Sequence, residues 1–256
     1  LDIDVSNNWC IIGSPQKLAN GNGKADIYEN VSGTWTHRKT LTASDGAAGD
    51  NFGVSVRIND ENTFAFVGAD NNDSVKGAVY IYKKNHPSAN SWGQYQKVIS
   101  LDQRINSYFG KSIGVQGNTL LIGSPNGGNF SGAVYEVTYS TGTGKWGTQS
   151  GSDYLPSSDK IVALDASAND QYGYSVDVYE NFGVVGSKST DMSGNVDTGS
   201  AYIVINTGEG YWEESKQINP DDLDIQDEYG ISVGIFGRSV VVGSWLSEGD
   251  QGGDPA

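Results

Sequence analysis

The sequence predicts an all-β protein made of repeated four-stranded antiparallel units. Three observations predict it. Gly (35 of 256 residues), Asn, Ser and Asp are abundant while runs of helix formers are scarce, which favours short strands joined by turns. A fixed series of motifs recurs about every 57 residues, too short a period for stacked sandwich domains of roughly 100 residues. Within each period, brief apolar stretches are separated by turn residues such as Asn59-Asp60-Glu61-Asn62.

Each period opens on an aromatic-Gly-x-Ser-aliphatic segment: Phe52-Gly53-Val54-Ser55-Val56, Phe109-Gly110-Lys111-Ser112-Ile113, Tyr172-Gly173-Tyr174-Ser175-Val176 and Tyr229-Gly230-Ile231-Ser232-Val233. An aliphatic run then ends in Gly68-Ala69, Gly123-Ser124, Gly186-Ser187 or Gly243-Ser244, with a further copy at Gly13-Ser14. A strand of small residues and Tyr follows: Ala78-Val79-Tyr80, Ala133-Val134-Tyr135, Ser200-Ala201-Tyr202, and a weaker Ala25-Asp26-Ile27-Tyr28. Last comes a polar, alternating stretch opened by Trp35, Trp92, Trp146 or Trp212, a place that suits packing between units. For residues 53–97 this predicts strands over 54–58, 63–68, 78–83 and 92–99. Four-stranded units at this period are the pattern of β-propeller blades.

These motifs resemble the FG-GAP repeat of integrin alpha-subunit propellers and their microbial relatives, over residues 2–245. The resemblance implies one propeller domain over residues 1–256, with repeats at about 1–51, 52–108, 109–171, 172–228 and an incomplete 229–256. Four complete blades and half of a fifth do not close a ring, so the chain is expected to be part of a ring of about seven blades. The missing blades would come from the rest of the chain or from another subunit. The chain begins at Leu1 and carries no signal-peptide pattern, which reads as a processed or partial product. The integrin type carries a calcium loop between its first two strands. Here those loops are Asn59–Asn62, Gln116–Asn118, Tyr179–Asn181 and Phe236–Arg238, too short and carboxylate-poor for a Ca²⁺ cage of six to eight oxygens.

Sixteen basic against 31 acidic residues give a net charge of −15, which argues against nucleic acid and anionic membrane surfaces. No apolar run approaches the roughly 20 residues of a membrane span. Cys10 is the only cysteine, so an intrachain disulfide and a Cys-based zinc site are excluded. The G-x-S-x-G matches at Gly110–Gly114 and Gly230–Gly234 are read as repeat residues, because the Ser recurs at Ser55 and Ser175 and opens a strand in every copy. His37 and His86 are the only histidines and nothing in the sequence places them together, so no enzyme is expected.

Strand alternation puts the loops joining strands 2–3 and 4–1 on one end, and these loops hold nearly all of the excess negative charge. Asp50, Asp170 and Asp227 recur two residues before the aromatic-Gly, and Asp45, Asp102, Asp165 and Asp221 recur as well, as expected of carboxylates that accept turn amides. Asp73, Asp191, Asp197, Asp222, Asp224 and Glu228 lack that periodicity and are the candidate partner-binding residues, together with Trp245, which no repeat demands. Asp222, Asp224 and Asp227 are close enough in sequence to share a divalent cation such as Ca²⁺, against the competing reading of a solvated acidic loop. Asn30, Asn72 and Asn129 open N-glycosylation sequons, which suit an extracellular or cell-surface glycoprotein. The function expected is non-enzymatic recognition or adhesion, or structural assembly, with a protein partner bound through the acidic end. The alternatives are a carbohydrate-binding propeller using Trp245 and Phe130, and a scaffold domain of a larger secreted or surface protein.

Overall fold

A computed structural model describes residues 1–16, 21–59, 63–157, 160–192, 196–208, 211–221 and 224–245. The first unit is a meander of β1 (Asp2–Ser6), β2 (Trp9–Ser14), β3 (Lys24–Val31) and β4 (Thr34–Leu41). The second holds β5 (Val56–Ile58), β6 (Phe64–Ala69), β7 (Ala78–Lys84) and β8 (Trp92–Val98), close to the four strands expected there. The third holds β9 (Ser112–Gln116), β10 (Thr119–Ser124), β11 (Ala133–Ser140) and the two-residue β12 (Lys145–Trp146). Between β12 and the fourth unit lie β13 (Thr148–Ser150), β14 (Asp153–Leu155) and β15 (Lys160–Ile161). The fourth unit is β16 (Tyr172–Tyr179), β17 (Phe182–Ser187), β18 (Ser200–Asn206) and β19 (Trp212–Ile218). The pair β20 (Ser232–Phe236) and β21 (Ser239–Gly243) follows. Within the units neighbouring strands pair antiparallel. Among the described residues, helix is limited to Asn72–Val75 and the 3-10 turn Gly128–Phe130, and no helix is long and apolar enough to cross a membrane.

The third unit departs from the simple period. Its fourth strand is split: β12 pairs one end of β11, and β15 pairs the other end. The hairpin β13–β14 inserted between them leaves the unit and adds to the sheet of the second, where β14 lies parallel to β8 at Tyr154 and Val98.

The core lies between the units. One cluster joins Ile11, Ala25, Ile27 and Leu41 of the first unit to Phe52, Val56, Val67 and Tyr80 at the second. Another joins Phe64, Phe66, Val79 and Val98 to Ile113, Leu120, Tyr135 and Trp146. Burying such side chains fully is worth about 1.5–3 kcal/mol each, so most stabilisation comes from contact between successive units.

The repeated motifs build these joints. Ser55 donates its hydroxyl hydrogen to the Gly110 carbonyl, Ser112 to that of Gly173, and Ser175 to that of Gly230, each time into the next unit. A Cβ on Gly68 would stand 2.1 Å from the Gly110 carbonyl oxygen, and one on Gly123 would stand 2.0 Å from that of Gly173. That close approach is why the aliphatic run ends in glycine. The hydroxyls of Tyr80, Tyr135 and Tyr202 donate to Asp45, Asp102 and Asp165. The G-x-S-x-G serine Ser112 is thereby part of a joint, as its periodicity predicts.

The four tryptophans occupy one register, opposite Asn30, Lys84, Tyr139 and Asn206 of the third strands. Trp92 packs edge-on against Trp9 of the preceding unit at 5.6 Å, and Trp146 does so against Phe66 at 5.0 Å. Trp35, with no described unit before it, is 45% exposed. The first unit lacks the third-strand tyrosine at its usual place. Gly13 pairs Ala25 while Gly68 pairs Val79, so Asp26, not Tyr28, stands where Tyr80 stands. There Asp26 takes hydrogen bonds from Thr40 and contacts Lys24 and His37.

Candidate functional site

The candidate site is a polar pocket of about 440 Å³ lined by Asn51, Asp70, Asn71, Tyr108, Lys111, Pro125, Asn126, Gln171 and Tyr174. The repeat positions these residues. Asn51, Tyr108 and Gln171 each precede the aromatic-Gly; Lys111 and Tyr174 follow it; Asp70 and Pro125 follow Gly-Ala or Gly-Ser. All stand on the loop end to which the acids were assigned. The residue before the aromatic-Gly is left-handed in every described copy, with φ of 61° at Asn51, 56° at Tyr108, 62° at Gln171 and 50° at Glu228. For residues other than Gly and Asn this is strained backbone, about 1 kcal/mol or more each. A turn bond fixes it, from the amide of Val54, Lys111, Tyr174 or Ile231 back to its carbonyl.

Polar chemistry concentrates on the pocket floor. Asn51 is 6% exposed and donates its Nδ2 hydrogen to Asp70 Oδ1 at 3.0 Å. Its Oδ1 is buried without a hydrogen-bond partner. A buried acceptor left unmade costs about 1–3 kcal/mol. Lys111 Nζ lies 3.8 Å from Asp70, which balances the charge of the floor. Tyr174 stands between two cations, Lys111 at 5.0 Å and Lys188 at 5.1 Å from its ring centre. Lys188 in turn pairs with Glu228 at 2.7 Å. Of the residues singled out in the sequence, Glu228 thus reaches the rim through Lys188 and Tyr174.

The other singled-out residues are dispersed. Asp73 is exposed and pairs with Lys76 at 3.0 Å. Asp191 accepts the backbone amide hydrogen of Asp197 within its own loop. Asp227 is buried, and its Oδ2 accepts from the Asp224 amide at 2.7 Å, as Asp50 accepts from Ala47 and Asp170 from Ser167. Burial raises the pKa of Asp170, with the Ser167 amide opposing the shift. Asp222 lies outside the described residues. Counting five residues back from Asp227, as from Asp50 to Asp45, places Asp222 rather than Asp221 in that repeated position. Among the described residues no group of three carboxylate, His or Cys side chains could hold a metal ion. Trp245 is 71% exposed, and Phe130 is 43% exposed with Arg104 over its ring at 4.5 Å. Asn72 is 5% exposed and donates its amide to Asp50, so the folded chain does not present it for glycosylation. Asn30 accepts from the Gly33 amide in a turn, and the side chain of Asn129 lies outside the described residues.

The family can now be assigned. The FG-GAP repeat family matches residues 35–82, 92–138 and 157–204, more than half of the chain. This chain belongs to the FG-GAP repeat family. The first two matches run from a fourth-strand tryptophan, Trp35 or Trp92, to the third strand of the next unit, so the family's repeat spans a joint. No curated protein matches the sequence. Among solved structures, a functionally unknown protein from Desulfotomaculum acetoxidans DSM 771 is 9% identical, with a TM-score of 0.58 over 94% of this chain and 62% of that one. The periplasmic gluconolactonase PpgL from Pseudomonas aeruginosa is 10% identical, with a TM-score of 0.54 over 95% of this chain and 65% of that one. The FG-GAP chain spans less than two thirds of either structure. The likeness is one of fold, and the fold is propeller-like. It corrects one expectation: an enzyme is built on the same architecture, so the chain cannot be set down as a non-enzyme.

Proposed function

We propose that this FG-GAP chain is an extracellular recognition module that binds a neutral, polyhydroxylated ligand such as a glycan in the pocket on its loop end. The observation that carries the reading is the polar pocket on that end, whose lining includes Asn51, a buried amide with an unpartnered Oδ1. The side chains of Asn71, Asn126 and Gln171 add donors and acceptors, Tyr108 and Tyr174 add flat apolar surface, and the Asp70–Lys111 contact leaves little net charge. That mixture suits sugars better than ionic ligands. A glycan array followed by titration calorimetry tests it. Tyr174→Ala and Gln171→Ala should each weaken the best ligand about tenfold, worth about 1.4 kcal/mol. Absence of binding to any neutral glycan, or binding indifferent to both changes, refutes the reading.

A second reading, a protein partner held by the acidic loop end, is favoured by the exposure of Asp191 and Asp224 there. Most other acids on that end are engaged within the fold, which weakens it. Its mark would be binding that falls steeply as salt rises, because such attraction is screened over about 8 Å at physiological ionic strength.

We also infer that the units are blades, four complete and half of a fifth, in a ring of about seven whose remainder comes from elsewhere. Support comes from the fifth unit, which repeats β1–β2 geometry in β20–β21 without a third and fourth strand among the described residues. Small-angle scattering from the 256-residue chain should then fit an open arc; a closed disc overturns the count.

A further inference from the structure

A second cavity, of about 280 Å³, lies in the joint between the first and second units and is lined by Trp9, Glu29, Arg38, Lys84, Asn90 and Trp92. Trp9 opens β2 and Trp92 opens β8, so the cavity sits at the end of the strands opposite the acidic loops. The two indoles meet edge-on at 5.6 Å. The next joint, between the second and third units, carries rings at the corresponding places. In register Phe64 stands for Trp9, Tyr139 for Lys84 and Trp146 for Trp92. Tyr95 stands for Arg38, each being the bulged residue of its fourth strand. There Phe64 packs against Tyr95, Tyr139 and Trp146 at 6.0, 5.3 and 5.8 Å. Two rings that pack that joint are thus replaced by cationic side chains in the first, and those side chains line the cavity.

The charges there do not cancel. Glu29 Oε2 accepts from Arg38 Nε at 2.8 Å, which engages one nitrogen of the guanidinium. The terminal nitrogens of Arg38 have no hydrogen-bond partner among the described residues. Lys84 lies over the Trp9 ring at 4.3 Å and makes no ion pair among the described residues. The indole Nε1 of Trp92, a residue only 4% exposed, is also without a partner. Two cations against one carboxylate leave the lining positive, on a chain whose net charge is −15. The lining is rich in donors, and charge-assisted donors hold carboxylates most strongly, a guanidinium fork matching both oxygens. The indoles add apolar wall. The volume falls at the lower end of the roughly 300–1,000 Å³ of small-molecule sites, which suits a single ring.

We propose that this cavity binds the carboxylate of an acidic sugar, a uronic acid being the simplest. The carboxylate takes the terminal nitrogens of Arg38 and the ammonium of Lys84. Asn90 supplies an amide for ring hydroxyls, and the indoles border the apolar face of the ring. The preference is opposite to that of the pocket on the loop end, which carries little net charge, and the inference stands whether or not that pocket binds a glycan.

The test is a titration of the 256-residue chain with sodium glucuronate at fixed ionic strength, followed through the indole N–H signals in nitrogen-15 NMR. The Trp92 indole signal should shift saturably with glucuronate and should not move with glucose. Lys84→Gln and Arg38→Gln, both on partly exposed side chains, should each weaken binding about tenfold or more with the rest of the spectrum unchanged. Lys84→Arg keeps the charge and should retain binding, which separates charge from packing on Trp9. Lys216→Gln, at an exposed lysine of β19, should bind as the parent does. No saturable shift, an equal response to glucose, parental affinity in both Gln variants, or displacement of glucuronate by equimolar sulfate each overturns the proposal.

Discussion

The joints that the second and third units make with the units after them, and the open face of the fifth, use equivalent residues in opposite circumstances. Phe66 and Leu121 are fully buried by the unit that follows, while Val241, in the same register, is 72% exposed. Ser112 donates to a carbonyl of the next unit, whereas no unit after that of Ser232 lies among the described residues. A Cβ on Gly123 would strike the Gly173 carbonyl, yet among the described residues one on Gly243 would meet atoms of Ser232 in its own hairpin. The difference teaches that the repeat residues are selected by their neighbour across the joint. The same residues make few contacts where no following unit is among the described residues.

The largest effect should come from the glycines. Gly123→Ala should cost about 4 kcal/mol or more, or prevent folding, because backbone on both sides of the contact must move. Gly243→Ala should cost under about 1 kcal/mol, because only the flexible Ser232 hydroxyl lies close. Urea denaturation of the two variants checks this, and equal losses would end the comparison. Next come the apolar contacts. Phe66→Ala removes the partner of Trp146 and should cost about 3–5 kcal/mol, while Val241→Ala should change stability by no more than about 0.5 kcal/mol.

The smallest effect is electrostatic. At the first joint Asp45 accepts from Tyr80 and pairs with Lys97 at 2.7 Å. Partial burial pushes its pKa up, but the hydrogen bonds from Lys97 and Tyr80 outweigh burial and leave it below the ordinary carboxylate value. A depressed folded pKa means a stabilisation present above the unfolded value near 3.9, lost as pH falls through the folded one. Asp45→Asn should therefore be less stable than the parent at pH 7, and the gap should close as pH falls from about 4 to 2. A gap that persists unchanged at pH 2 would show that the carboxylate charge contributes nothing to this joint.

Much of the fold was legible because its period is written in residues with few substitutes. The strands of the second unit fall within about two residues of their expected bounds, since aromatic-Gly, Gly-Ala and Trp mark them off. The hairpin β13–β14 was hidden, because a longer spacing between Phe109 and Tyr172 does not reveal that the extra chain joins a neighbouring sheet. In the first unit Asp26 stands in place of Tyr, so the third strand lacks its marker. The pocket was hidden for another reason. Its residues occupy repeated positions with a different side chain in each repeat, as in Asn51, Tyr108 and Gln171. That variation at fixed positions was the available signal, whereas the acids that drew attention are dispersed: Asp73 and Glu228 pair with lysines, and Asp191 and Asp227 accept loop amides.

The excursion of β13–β14 has a mechanical consequence. A row of units that touch only their neighbours can come apart one at a time from either end. Here the strand that leaves the third unit is hydrogen-bonded into the second, with the Ile99 amide donating to the Tyr154 carbonyl and β14 lying along β8. Pulling the third unit away would tear the outer edge of the second in the same event. The two are clasped into one block, and fraying that begins at β20–β21 meets its first strong stop there.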